Sequence, residues 1–111
     1  LQTEGGNAEL AEQRLTDAER AVRRARINGM DNADIYYTES SIHALRGESG
    51  AALQSLQTAC ERGFRGIWML EMDLRMESLH QEPEFAAIKQ RIERDIAQAR
   101  SEVETLTIAA L

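Results

Sequence analysis

Between residues 85 and 106 the apolar side chains fall at steps of three, four, four, three, four and three: Phe85, Ile88, Ile92, Ile96, Ala99, Val103 and Leu106. A strand alternates in twos, so only a helix sets all seven on one side. The stripe spans 21 residue steps, or about 32 Å at 1.5 Å per residue. Any fold that contains it must cover that length from the rest of a 111-residue chain, or leave some of it for another molecule. Pro83 suits the first turn of this helix, because its missing N–H would have no intrahelical acceptor there. The helix is predicted from Pro83 to about Leu106. The closing TIAAL is expected either as a frayed tail or as a strap packing back.

The remainder also reads as helical. Ala, Leu, Glu, Gln and Arg dominate, and all are good helix formers. Runs of β-branched residues are absent, so the fold class is all-α. A chain of this length is a single domain and needs neither metal nor disulfide to bury a core. Residues 1–6 are expected to be a disordered lead and residues 7–111 the domain. Asn7 is a plausible N-cap for a helix ending near Asn28, with Gly29 as its stop. Leu10, Leu15, Ala18, Val22, Ala25 and Ile27 form its apolar stripe. Thr16 and Glu19 have capping-box spacing, but a continuous helix is preferred to a break there. A second helix is predicted over 32–46 and ends at Gly47. A third starts near Ser49 and ends at Gly63. The short turn between them requires antiparallel packing, a helical hairpin. Short helices are predicted at Ile67–Met72 and Leu74–His80.

Ala52, Leu56 and Ala59 repeat, in spacing and size order, Ala18, Val22 and Ala25, which lie 34 residues earlier. That period, with Tyr36 as a large aromatic, Ser40 at a small crossing position, His43, and Gly47-Glu48 at a turn, resembles the tetratricopeptide (TPR) repeat. The resemblance makes 33–64 one full repeat and implies a TPR-like α-α superhelix. Small side chains at Ser40, Ala52 and Ala59 would let helix backbones approach closely. Glu39 and Phe64 depart from the family pattern. Either the second helix is rotated to use Ile35, Ile42 and Leu45, or Glu39 lies near a surface. Residues 65–111, with Trp68, Leu74 to Leu79, Pro83 and Phe85 ahead of a long helix, resemble the C-terminal capping region of bacterial winged-helix/TPR transcriptional regulators. The resemblance implies a fragment that interacts or senses, without the DNA-binding half. It also implies a cytoplasmic or periplasmic location. The polar start without Met fits the cut end of a longer chain.

Catalytic chemistry has little to stand on. Nucleotide-binding glycine motifs, H-E-x-x-H and C-x-x-C are missing. Gly63-Phe-Arg-Gly66 follows no strand, and His43 and His80 are far apart. Glu71, Asp73 and Glu77 lack a nucleophile or basic partner, so they read as a solvated acidic face rather than an acid–base pair. Cys60 on its helix reads as a small buried hydrophobe. Arg20, Arg23, Arg24 and Arg26 form a basic cluster diluted by Asp17 and Glu19. The net charge of −6 argues against nucleic acid as a partner. No apolar run is long enough to span a bilayer. No enzyme activity, cofactor or metal is expected.

Three functional readings remain. One is a TPR-like module that binds a protein partner, with Asp34, Tyr37 and Ser41 on the concave face of the second helix. Another is a homodimer built on the long N- and C-terminal helices. The third is a ligand sensor using the Trp68 region. Trp68, with Phe64, Ile67, Met69, Leu70, Met72 and Met76, is the densest apolar cluster. It serves either as a plug for the end of the repeat stack or as a Met-rich pocket for a partner helix.

Overall fold

A computed structural model describes residues 2–111. Five α-helices and one 3₁₀ segment follow in order: α1 Gln2–Ile27, α2 Ala33–Leu45, α3 Ser49–Glu61, α4 Ile67–Met72, the 3₁₀ segment Leu74–Leu79, and α5 Pro83–Ala110. Among the described residues there is no strand. The fold class is all-α, as the composition requires.

The boundaries trace to local chemistry. The Asn32 side chain accepts the Ile35 N–H at 3.1 Å and so caps α2. Helix α3 ends with Gly63 N–H donating to Cys60 C=O at 3.0 Å and Phe64 N–H reaching back to Ala59 C=O at 2.9 Å. That is a Schellman closure, and it needs the left-handed φ of 104° that Gly63 supplies. Gly47, at φ 78°, closes α2 in the same way. Asp73 accepts the Arg75 N–H at 3.0 Å and starts the 3₁₀ segment.

Two predicted ends moved. Helix α1 begins at Gln2, so the lead expected to be disordered over 1–6 is helical from its second residue, and Asn7 lies inside the helix rather than capping it; Leu1 is outside the described residues. The glycines at 5 and 6 cost about 1 kcal/mol each against alanine, a penalty a long helix can carry. Helix α5 continues to Ala110, so TIAAL is neither a frayed tail nor a strap. Thr16 does not break α1; its hydroxyl instead accepts from Arg46 at 3.3 Å.

The core is centred on α2 and α3, which pack together across residues 46–48. Ala52, Leu56 and Ala59 are fully buried, as are Leu70, Met76, Leu79 and Ile92. Ser40, also fully buried, donates its hydroxyl to the Ala52 carbonyl at 2.7 Å. The small crossing position thus brings two helix backbones close and satisfies its own polar group. The 3₁₀ segment packs on α2 and α3, and α5 packs on α3 and α4. Helix α1 leans on α2.

The two long helices carry the molecule well beyond this core. The radius of gyration is 17.4 Å and the extents are 67 × 34 × 21 Å, against a radius of about 13 Å for a compact domain of this length.

Candidate interaction surface

The residues expected to form one concave face do not share a surface. Asp34 is exposed, beside a shallow apolar cleft of about 280 Å³ between α1 and α2, with Ala18, Val22, Ala25 and Ile35 among its walls. Tyr37 and Ser41 are buried, which corrects their placement. The 3₁₀ segment packs against α2, and helix spacing alone does not foresee that cover. Ser41 turns its hydroxyl back to the Thr38 carbonyl at 2.7 Å.

Tyr37 works as a structural latch. Its ring stacks on Phe64 with centroids 4.7 Å apart, and its hydroxyl donates to Asp73 Oδ2 at 2.7 Å. Arg75 grips the same carboxylate through Nη2 at 2.8 Å and Nε at 3.0 Å. The Arg75 bonds, helped by the Tyr37 hydroxyl, hold Asp73 down at about 2, against the pull of its partial burial. Burial, then the bond to Asp73, pushes the Tyr37 phenol well up. Asp73, read from sequence as part of a solvated acidic face, is therefore committed to joining α2 to the 3₁₀ segment.

Other chemistry-bearing groups are also locally engaged. Glu71 pairs with Lys89 at 3.2 Å. His43 Nδ1 lies 2.7 Å from Glu48, and His80 Nε2 lies 3.2 Å from the Leu70 carbonyl. Cys60 is buried, and that burial raises its thiol pKa, the opposite of what a reactive thiolate needs. Glu39 stands at the meeting of three helices. It pairs with Arg26 of α1 at 2.7 Å and accepts the Ser55 hydroxyl of α3 at 2.8 Å. That role accounts for a carboxylate at this position, with its side chain only 23% exposed. A second tie escaped the sequence reading. Arg46 reaches Glu19 at 2.7 Å and Glu12 at 3.0 Å, fastening α1 over the end of α2.

The Trp68 cluster divides. Phe64, Leu70 and Met76 enter the core, and Ile67 packs against it half-buried. Trp68 is 73% exposed, with Met69, Met72 and Leu74 also outside. The plug reading is corrected for these residues. A six-residue helix lying on the core has one buried face, and Leu70 takes it.

The α5 stripe divides as well. Phe85, Ile88 and Ile92 are buried, and Ile96 is half-buried. Val103 is 62% exposed and Leu106 70%. All side chains from Ala97 onward are exposed. On α1, Leu15, Ala18, Val22 and Ala25 are half-buried against α2, while Leu10 and Ile27 stand in solvent.

A cleft of about 460 Å³ separates α3 from α5, with Leu53 and Ile88 in its walls and Arg91 and Arg94 at its edge. Among the described residues no group of His, Cys, Asp and Glu has the arrangement of a metal site, and no helix is long and apolar enough to cross a membrane. No family model matches the chain, and no curated protein or solved structure matches it.

Proposed function

We propose that this chain is a non-enzymatic protein–protein interaction module whose contact surface lies on its long helices. The observation that carries the proposal is the uncovered half of the α5 stripe. Val103 and Leu106 continue, at helical spacing, a row whose first members are buried. Burying a large aliphatic side chain contributes roughly 1.5–3 kcal/mol, so a partner that covers this row gains affinity from it. Glu39, Arg46, Asp73 and Arg75 favour the same reading, because they are spent on internal ties.

In this proposal the core is an antiparallel helical hairpin of TPR-like form, residues 33–64, capped by 65–111. Its likeness in sequence to winged-helix/TPR regulators would make it their interaction half, which is a role in transcription regulation through protein contacts. The exposed Trp68 and Asp34 are secondary contacts. Homodimerisation through the long helices is the specific form of the proposal that the bare α5 stripe favours.

A photo-crosslinking amino acid at Leu106, compared with one at Ser101 on the opposite side of α5, tests it in cells that make the protein. Crosslinks to one recurring protein at 106 and none at 101, whether to this chain or another, are the expected result. An absence of protein crosslinks at 106 overturns the proposal.

A further inference from the structure

We infer that the distal part of α5 pairs with the same segment of a second copy of this chain as a short, parallel, two-stranded coiled coil. The inference rests on the interaction reading above and names its partner.

The apolar residues from half-buried Ile96 onward keep a strict seven-residue pattern. Ile96 and Val103 occupy one core position of the repeat, with Ala110 next in that series, and Ala99 and Leu106 occupy the other. β-Branched residues at the first position with leucine at the second favour two parallel strands over higher assemblies. The same pattern extends backward through Ile92, but α3 and α4 already cover that part of α5. The seam therefore opens at Ile96, where the chain's own cover ends.

Charge selects both the orientation and the occupant. In a parallel pair the residue just before one core position faces the residue five places further on in the partner. That sets Asp95 of one copy near Arg100 of the other, twice over by symmetry. Asp95 is held by Arg65 at 3.0 Å, yet its side chain is 36% exposed, which leaves access for a second guanidinium. An antiparallel pair centred on the bare residues would instead set Arg100 against Arg100 and Glu102 against Glu102. Like charges at those sites disfavour pairing. Gln98, Ser101 and Thr105 lie away from the seam and are polar. Ile108 also lies away from it and is exposed; it takes no part in the pairing.

The test uses the full chain. Light scattering over a concentration series should show molar mass rising from that of one chain to that of two. Val103→Glu with Leu106→Glu should abolish the rise, leaving one chain at every concentration. Gln98→Glu with Thr105→Glu, which adds the same charge outside the seam, should preserve it. Unchanged circular dichroism at low concentration confirms that the exposed substitutions leave the fold intact. A wild-type chain that stays monomeric to its solubility limit overturns the inference, as does a seam variant that still dimerises. Spin labels at Ser101→Cys or Ile108→Cys, in a Cys60→Ala background, read the orientation. Nearly equal inter-chain distances at the two sites support the parallel arrangement, and clearly different ones overturn it. A monomer whose Leu106 crosslinker captures a different protein overturns the second-copy inference but leaves the interaction module standing. No crosslink at all overturns both.

Discussion

Within α5, Phe85, Ile88 and Ile92 lie in the core whereas Val103 and Leu106 stand in solvent, although one spacing runs through both halves. Helices α1 and α3 repeat the contrast. The small–large–small row is Ala18, Val22, Ala25 in one and Ala52, Leu56, Ala59 in the other, yet the first is half-buried and the second wholly buried. Periodicity states which side of a helix is apolar. It does not state how much of the chain is available to cover it. Helix α3 has α2, the 3₁₀ segment and α5 around it, and α1 has chiefly α2.

Substitutions that break this contrast should differ by several kcal/mol. The largest effect is expected from Leu56→Asp, which buries an uncompensated charge at a fully enclosed site. Circular dichroism should show loss of the helical fold, whereas Val22→Asp, on the matching residue of half-buried α1, should leave α2–α5 folded. Next comes Ile92→Ala, which should cost about 2–5 kcal/mol in urea denaturation because the core cannot fully collapse into the space.

The Tyr37–Asp73–Arg75 latch separates the core from the distal arm by acid sensitivity. Asp73 is held at about 2 in the folded chain, below the roughly 3.9 of an unfolded aspartate. Its contribution is therefore present above about pH 4 and is lost as pH falls toward 2. The depression amounts to roughly 2 kcal/mol. Asp73→Asn should flatten the acid limb of the stability curve between about pH 5 and 2, and Tyr37→Phe should weaken the limb by raising the Asp73 pKa. The smallest effect is expected from Leu106→Ala. At concentrations where the chain is monomeric it should change unfolding free energy by no more than about 0.5 kcal/mol. A large loss there would mean that the distal arm is covered within one chain.

Helix existence and order were legible from spacing and glycine stops, since Schellman closures at Gly47 and Gly63 are written in adjacent residues. The continuous α1 was legible too. The burial of Tyr37 and Ser41 was not. It depends on the 3₁₀ segment, more than thirty residues away, and a six-residue piece carries too few apolar positions to announce where it docks. Trp68 misled for the opposite reason. Its size suggested a core role, but short α4 turns Leu70 and half-buried Ile67 inward instead. The ties of Arg46 to Glu12 and Glu19, and of Arg26 to Glu39, join charges distant in the chain, and composition alone does not pair them.

The elongated outline, 67 Å along its longest axis and 21 Å along its shortest, fixes how the molecule moves through water. Friction on a rod-like particle exceeds that on a sphere of equal mass. A single chain should therefore diffuse slowly and leave a gel-filtration column early, at the position of a heavier globular standard. Elution volume would count one such chain as more than one. A weighing method that is blind to shape gives the true number.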